Sequence, residues 1–199
     1  MKLVILDRDG TINYDSDDHI RSPNDWRPIE GSLEAIARLA QAGYRIVVAT
    51  NQSGIARGLF DTATLVAIHD TLQRAAMQAG GRIDAFFFCP HDADSGCTCR
   101  KPRPGMLFEG ARRFNISLKD TYMVGDAHRH VAAGAAAVGP RRGLGHEVGA
   151  APLPLDDPGE QPRQHLGARA VEDGEAADRL DDEVERRGGA LLRDLLDGE

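Results

Sequence analysis

The sequence lacks the features that would place this protein in a membrane or outside the cell. It contains no apolar run long enough to span a bilayer. Its N-terminus, MKLVILDRDG, has only a short apolar segment and no small-residue cleavage site of the kind that a signal peptide needs. We therefore expect a cytoplasmic protein without a membrane partner.

The sequence also has few cysteines and no excess of basic residues. Residues 1–130 carry 16 Lys and Arg against 16 Asp and Glu, whereas residues 131–199 carry 8 Arg against 15 Asp and Glu. This balance excludes the basic footprint of a nucleic-acid-binding protein. A chain of 199 residues is long enough for one well-cored domain and too short for two large ones.

Short apolar runs alternate with helical patterns along the first two thirds of the chain. The predicted strands cover residues 2–6, 44–50, 84–88 and 121–124. The predicted helices cover residues 32–42, 62–79 and 104–114. This alternation is typical of an α/β fold, a Rossmann-like parallel sheet flanked by helices.

Residues that can perform chemistry follow the predicted strands. The strand ends lead to Asp7, Thr50, Cys89 and Asp126. Right-handed crossovers bring the carboxyl ends of parallel strands to one edge of the sheet, where ligands bind. The sequence therefore predicts a functional site at this edge.

Two carboxylates, Asp7 and Asp9, flank Arg8 directly after the first strand, and Gly10 permits a sharp turn. Two carboxylates this close cannot both stay ionised comfortably without a cation, which indicates Mg²⁺, a shared proton or both. One carboxylate could be a nucleophile and the other a proton donor. An ordinary Asp-Gly turn at a strand end is the alternative interpretation.

All three cysteines of the chain lie in one loop together with a histidine, as Cys89, His91, Cys97 and Cys99. Three thiols and an imidazole suffice for a closed tetrahedral Zn²⁺ site, which would be structural because it leaves no open position. Such a site would fold the loop and fix Arg100 and Lys101, which follow the last thiolate. Buried cysteines beside a chance histidine, or a redox role, are the alternatives.

Taken in order, these segments resemble the motifs of the haloacid dehalogenase (HAD) superfamily of phosphotransferases. The matching residues are DxDGT after the first strand, Thr50 in VVATNQSG, Lys101, and Asp126 in VGD. The resemblance implies that Asp7 forms an aspartyl-phosphate and that Asp9 acts as a general acid and base. It also implies that Asp7, the Asp9 backbone carbonyl and Asp126 hold Mg²⁺.

The same resemblance implies two sets of site residues. The catalytic set is Asp7, Asp9, Thr50, Arg100 and Lys101. The substrate-binding set is Asp7, Arg8, Asp9, Asp15, Ser16, Asp17, Asp18, Thr50, Asn51, Gln52, Ser53, Arg57, Arg100 and Lys101.

The cysteine loop resembles that of two groups of HAD phosphatases, which act on D-glycero-D-manno-heptose 1,7-bisphosphate or on histidinol phosphate. The stretches NQSGIARG and RKPRPGM are similar to the heptose bisphosphatases, whereas histidinol-phosphatases typically carry Asp at the position of Ser53. Arg57 and Arg100 would suit a substrate with a second phosphate or several hydroxyls, and solvent-exposed surface arginines are the alternative interpretation. The resemblance thus implies a small phosphorylated sugar as substrate, a step toward activated heptose for cell-surface glycans, and a monomer without a large cap domain.

The fourth motif departs from the family pattern GD-x-x-x-D. The chain reads GDAHRH, so Ala127 stands where Lys or Ser is expected and His130 replaces the second acid. We therefore expect weakened Mg²⁺ binding. A catalytically impaired HAD-like protein is the alternative to an active phosphatase.

The composition changes near Val131, since residues 131–199 contain no Ile, Phe, Trp, Tyr or Lys. The sequence predicts a HAD-like domain over residues 1–130 and an atypical, partly disordered acidic tail over residues 131–199. Within this tail, residues 174–196 fit an acidic amphipathic helix, and no further strand is predicted. A shift of the coding frame near Ala127 is one hypothesis for the change.

Overall fold

The computed structural model of the protein describes residues 2–138, which are built around a four-stranded parallel sheet. The strands are β1 (Lys2–Leu6), β2 (Tyr44–Asn51), β3 (Ala85–Cys89) and β4 (Tyr122–Val124). The helices are α1 (Ser32–Gln41), α2 (Thr62–Gln78), α3 (Gly105–Phe114) and α4 (His128–Val138). The predicted α/β fold is confirmed, and every predicted strand and helix agrees with its observed bounds to within one residue.

The order of the strands places the carboxyl end of β1 at the centre of one sheet edge. The order is β3-β2-β1-β4, and all neighbouring strands are parallel. The chain moves outward from β1 through β2 to β3 and then returns to the opposite side of β1 for β4. In sheets of this kind, ligands bind where the strand order reverses. That position lies beside the residues that follow β1.

Alternate residues of β1 face two separate hydrophobic cores. Val4 and Leu6 lie in a core that includes Ile36 of α1 and Leu72 of α2. Leu3 and Ile5 lie on the other side, in a core with residues of α3 and α4. Because helices cover both faces, residues 3–6 of the strand are fully buried, which explains why this part of its sequence is continuously apolar.

Two helix ends show how local sequence sets the element bounds. Helix α2 begins after Asp61, whose side chain accepts a 2.7 Å hydrogen bond from the Thr64 backbone amide. Helix α3 ends at Asn115, which adopts the left-handed conformation with φ of 52°. Aspartate is favoured before a helix because its side chain accepts from a backbone amide that has no helical partner. Asparagine is favoured after a helix because it tolerates the left-handed conformation.

Helix α4 was not predicted from the sequence. The segment is rich in alanine, the residue with the highest helix propensity, and Ala133 is fully buried in the second core. The helix packs against β4 and α3 and continues to Val138, past the predicted domain boundary at residue 130. The predicted tail beyond Val138, including its helix at residues 174–196 and the absence of a further strand, lies outside the described residues. Among residues 2–138, no helix has the length and apolar character needed to cross a membrane.

Candidate active site

A cavity of about 200 Å³ lies at the carboxyl edge of the sheet and collects most of the predicted site residues. Those that line it are Asp7, Asp9, Asp15, Ser16, Thr50, Asn51, Gln52, Ser53 and Arg100. Residues that the sequence reasoning missed are also in the lining, namely His19, Ile20 and Arg129, together with His130. Segments that are far apart in sequence therefore converge at the sheet edge where the sequence predicts the site.

Asp7 and Lys101 form a buried ion pair at the end of β1. The Lys101 Nζ donates to Asp7 Oδ1 at 2.6 Å and to the Ala49 carbonyl at 2.6 Å. Burial by itself would raise the pKa of Asp7, but Lys101 and then His130 hold this pKa well below its usual value. Burial lowers the pKa of Lys101, and the Asp7 carboxylate opposes that fall. Asp7 is therefore kept as a carboxylate, the form that can act as a nucleophile.

The Asp9 carboxylate accepts hydrogen bonds from three neighbouring side chains. Arg8 donates from Nε to Oδ1 at 2.9 Å and from Nη2 to Oδ2 at 3.0 Å. Asn13 donates to Oδ1 at 2.9 Å, and Gln52 donates to Oδ2 at 2.9 Å. The Asp9 side chain is thereby fixed at the wall of the cavity, which leaves its backbone carbonyl as the group that the resemblance assigns to the cation.

The Gln52 amide also links this network to Thr50. Its Nε2 donates to the Thr50 hydroxyl at 2.8 Å as well as to Asp9. Thr50 is almost fully buried at the end of β2. The hydroxyl, the amide and the two carboxylates that follow β1 therefore form one connected polar surface.

A second set of polar residues lies beneath the site and was not identified from the sequence. Arg8 is fully buried, and its Nη1 lies 3.5 Å from His69 Nε2. The His69 ring stacks on Phe86 with a centroid separation of 4.5 Å. Burial, together with the Arg8 charge, lowers the pKa of His69 to about 3. A neutral His69 thus lies against the guanidinium that supports Asp9.

The Asn13 amide is supported in the same way from the opposite side. The indole Nε1 of Trp26 donates to Asn13 Oδ1 at 3.0 Å, which orients the Asn13 amide nitrogen toward Asp9. Trp26 lies in the loop between β1 and α1, whose sequence is polar and contains proline and several aspartates. The composition of that loop gave no signal for this contact.

Lys101 is positioned by a side chain of β2. The Asn51 Nδ2 donates to the Lys101 carbonyl at 3.1 Å, and the Lys101 backbone amide donates to Asn51 Oδ1 at 3.0 Å. The Arg100 guanidinium donates to the His91 carbonyl at 3.0 Å, which ties the same segment to the cysteine loop. The peptide bond between Lys101 and Pro102 is cis.

The four predicted zinc ligands, Cys89, His91, Cys97 and Cys99, form one cluster. The Sγ of Cys89 lies 3.7 Å from the Sγ of Cys97 and 3.4 Å from the Sγ of Cys99. The His91 Nδ1 lies 3.5 Å from the Cys89 sulfur and 3.3 Å from the Cys99 sulfur. A tetrahedron with zinc–sulfur bonds of about 2.3 Å has edges of about 3.8 Å, so the four groups fit a zinc ion.

The thiols of the cluster have divergent environments. Burial raises the pKa of Cys89 to about 12, and burial also raises that of Cys99. The Ser95 hydroxyl lowers the pKa of Cys97 to about 6. Cys97 is therefore the thiol that loses its proton most easily. A bound cation would be needed to deprotonate the other two thiols.

A second group of candidate metal ligands contains Asp7, Asp126 and His130. The His130 Nε2 lies 2.9 Å from Asp7 Oδ2, and its Nδ1 lies 3.3 Å from Asp126 Oδ1. The Asp126 Oδ1 is buried and has no hydrogen-bond partner among the described residues. An orphaned carboxylate oxygen next to a second carboxylate fits a divalent cation.

Gly10 allows Asp126 to approach the loop after β1. Its φ is +73°, and a Cβ built at this position would lie 2.1 Å from Asp126 Oδ2. Both the backbone conformation and the close contact require glycine here. The glycine of the DxDG segment is thus a packing requirement of the candidate cation site.

Some of the residues predicted to bind substrate do not reach the cavity. Arg8 lies buried beneath it, and Asp17 and Asp18 are exposed on the neighbouring loop. Arg57 pairs with Asp92 of the cysteine loop at 3.2 Å. In this structure Arg57 therefore braces the cysteine loop rather than lining the cavity.

Comparisons with known proteins agree with this geometry. Residues 15–138 match the family described as haloacid dehalogenase-like hydrolase. The D-glycero-beta-D-manno-heptose-1,7-bisphosphate 7-phosphatase of Bordetella bronchiseptica is 58% identical over 137 residues, which cover 69% of this chain and 76% of the relative.

Solved structures show the same likeness. The crystal structure of D,D-heptose 1,7-bisphosphate phosphatase from B. bronchiseptica, complexed with magnesium and phosphate, gives a TM-score of 0.67 at 58% identity, covering 69% of this chain and 76% of that one. The enzyme of the same name from Burkholderia thailandensis gives a TM-score of 0.53 at 52% identity, covering 69% and 74%.

The chain is therefore a member of the haloacid dehalogenase-like hydrolases. Within them it belongs to the D-glycero-D-manno-heptose-1,7-bisphosphate 7-phosphatase family. The resemblance inferred from the sequence motifs is confirmed. The family match and helix α4 both extend to residue 138, so the departures at Ala127 and His130 do not interrupt the fold.

Proposed function

We propose that the protein removes the 7-phosphate of D-glycero-D-manno-heptose 1,7-bisphosphate in a Mg²⁺-dependent reaction, through an aspartyl-phosphate formed on Asp7. The observation that carries the proposal is the 2.6 Å ion pair of Asp7 and Lys101 at the edge of the cavity. It supplies an ionised nucleophile in a chain that is 58% identical to a phosphatase of this name.

The first step is attack by Asp7 on the phosphorus atom. The Asp7 pKa lies well below its usual value, so the carboxylate is ready without prior loss of a proton. Lys101 remains beside it and offsets the negative charge that builds up as carboxylate and phosphoryl group approach. Mg²⁺, bound by Asp7, the Asp9 carbonyl and Asp126, would offset further negative charge on the phosphoryl oxygens.

The second role belongs to Asp9. Its carboxyl group protonates the leaving alkoxide and later accepts a proton from the water that hydrolyses the aspartyl-phosphate. Arg8, Asn13 and Gln52 keep this carboxyl in one orientation. A fixed proton donor removes the entropy cost of aligning it in each turnover.

The remaining polar groups of the cavity bind the substrate. Thr50 and the adjacent amides offer donors to the transferring phosphoryl group, as the family resemblance implies. Arg100 and Arg129 line the same cavity and provide positive charge for a second phosphate or for sugar hydroxyls. The positive charge of these two arginines, in addition to Lys101 and the metal ion, supports a bisphosphate substrate over a monophosphate.

The cysteine loop has a structural role in this proposal. A Zn²⁺ ion held by the three thiolates and His91 would fix Cys99, and Arg100 and Lys101 follow it directly in the chain. Zinc would thus act on catalysis only through the position of these two cations. Cytoplasmic location and a monomeric state stay predictions from the sequence.

The test is to follow both phosphates of heptose 1,7-bisphosphate by ³¹P NMR in the presence of Mg²⁺. The proposal predicts loss of the 7-phosphate signal with retention of the 1-phosphate. Loss of the 1-phosphate would contradict the assigned regiochemistry. Turnover of histidinol phosphate without turnover of the bisphosphate would favour the alternative substrate.

A further inference from the structure

His130 is the residue of the candidate site whose environment the proposed reaction does not explain. The ring is 1% exposed, lies on α4 and faces the carboxylates of Asp7 and Asp126. Its Nε2 is buried and has no aligned hydrogen-bond partner among residues 2–138, although Asp7 Oδ2 is only 2.9 Å away. A buried and unpartnered nitrogen costs free energy unless a ligand satisfies it.

The separation of the two atoms fits adjacent positions around a metal ion. Metal–oxygen and metal–nitrogen bonds of about 2.1 Å at right angles place their donor atoms about 3.0 Å apart. The observed distance between His130 Nε2 and Asp7 Oδ2 is 2.9 Å. Because the N–H direction of the ring is not aligned with Oδ2, a lone pair on Nε2 points beside that oxygen.

The opposite side of the ring contacts both a carboxylate and a backbone amide. The His130 Nδ1 lies 3.3 Å from Asp126 Oδ1, which is also buried without a hydrogen-bond partner among residues 2–138, and it accepts from the Ala127 backbone amide at 3.4 Å. In the metal-bound tautomer Nδ1 carries the proton and faces Asp126 Oδ1, in place of accepting from the Ala127 amide. The lone pair on Nε2 is then free for the metal. Ligating histidines commonly have a carboxylate against their other ring nitrogen, which fixes the tautomer.

We propose that His130 is a nitrogen ligand of the cation bound by Asp7 and Asp126, and that it shifts the preference of this site from Mg²⁺ toward borderline ions such as Mn²⁺ and Co²⁺. Mg²⁺ requires oxygen ligands and gains little from imidazole, whereas imidazole suits first-row transition metals. The inference deepens the proposed function, since it concerns the cation of the same site. Its test reads metal binding without substrate.

The first experiment compares Mg²⁺ and Co²⁺ binding to the zinc-loaded protein at one mildly alkaline pH. Co²⁺ is followed by its visible absorption, and Mg²⁺ by competition against it. A cobalt–thiolate charge-transfer band would reveal that Co²⁺ has replaced zinc in the cysteine loop. Any titration that shows this band is repeated with protein whose cysteine loop has been reloaded with Zn²⁺ and from which free Zn²⁺ has been removed. We expect His130→Asp to lower the ratio of the Mg²⁺ to the Co²⁺ dissociation constant by about 10- to 100-fold.

A matched control is offered by His128, which is exposed on the same helix. His128→Asp adds the same charge two residues away and should leave the metal ratio unchanged. An unchanged ratio in His130→Asp, or an equal change in both variants, would overturn the proposal.

A second measurement identifies the ligand directly. Bound Mn²⁺ is examined by pulsed electron paramagnetic resonance, which detects a coordinated ¹⁴N nucleus. The wild-type protein should show histidine nitrogen coupling, and His130→Gln should lack it. Absence of nitrogen coupling in the wild type would overturn the proposal even where a variant folds poorly, and a lack of phosphatase activity would leave this result unaffected.

Discussion

The side-chain amide of Asn51 pairs with both main-chain polar groups of Lys101. It donates to the carbonyl at 3.1 Å and accepts from the amide at 3.0 Å. Through this contact, a residue at the end of β2 sets the position of the lysine whose Nζ reaches Asp7. The catalytic loop is thus held by two constraints, Asn51 on one side and the cysteine cluster on the other.

Asn51→Ala removes both hydrogen bonds and should weaken the hold on Lys101. Two neutral hydrogen bonds contribute about 1–3 kcal/mol, so we expect kcat/KM to fall by about 10- to 100-fold. The measurement is steady-state phosphate release. The exposed Asn24→Ala serves as control, and equal activities of the two variants would contradict the assigned role of Asn51.

Cys97→Ser should remove the zinc ion and with it most of the activity. Three ligands would remain, and a loop that depends on metal for its fold should loosen around Arg100 and Lys101. Metal analysis of the wild-type protein should give one zinc per chain, and the variant should have far less. Ser95→Ala alters the same loop without removing a ligand and should keep its zinc. Full zinc content in Cys97→Ser would be incompatible with the proposed ligand set.

Gly10→Ala should weaken cation binding because its Cβ would lie 2.1 Å from Asp126 Oδ2. Gly58 provides a matched control, since its φ of +68° is similar and nothing lies within 4 Å of its Cβ position. Both variants should lose about 1–2 kcal/mol of stability from backbone strain. Only Gly10→Ala should raise the Mg²⁺ concentration required for half-maximal activity, by about tenfold or more. Equal Mg²⁺ dependence in both variants would show that Asp126 is not held against Gly10.

His69 should make the stability of the fold depend on pH. Its folded-state pKa of about 3 lies below the ordinary histidine pKa of 6.5, so the unfolded state binds the proton more tightly. The stabilisation is fully present above the unfolded-state pKa and is lost progressively as pH falls from that pKa through the folded-state pKa of about 3. Between pH of about 7.5 and 5.5, this group should cost about 1.4 kcal/mol of unfolding free energy.

The measurement for His69 is urea unfolding of the wild type and His69→Gln at both pH values. In His69→Gln the unfolding free energy should fall by about 1.4 kcal/mol less between the two pH values than in the wild type. The exposed His128→Gln should show the same fall as the wild type. If the unfolding free energy of His69→Gln depended on pH as that of the wild type does, another group would be responsible for the pH dependence.

The sequence allowed the fold and the position of the site to be predicted because both depend on local patterns. Each strand contains a short apolar run, and the residues after β1, β2 and β4 meet because parallel strands end at one edge. The cysteine cluster was predictable for a similar reason, since its ligands lie within a few residues of one another. These features require no knowledge of how distant side chains pack.

The polar residues beneath Asp9 could not be predicted in this way. Asn13, Trp26 and His69 come from three separate segments, and no spacing relates them to each other. Helix α4 was missed because small alanine side chains were interpreted as a lack of core-forming residues. The direct approach of His130 to Asp7 depends on the packing of that helix, so the sequence indicated only that an expected acid was absent.

The most direct test of the account is phosphate release from heptose 1,7-bisphosphate and from histidinol phosphate by the wild type and Asp7→Asn. We predict efficient turnover of the bisphosphate, weak turnover of histidinol phosphate, and a loss of about 10⁴-fold or more in Asp7→Asn, since the nucleophile is removed. Bisphosphate turnover that persists in Asp7→Asn, or the absence of turnover by a folded, zinc-loaded wild type supplied with divalent cations, would contradict the central claim.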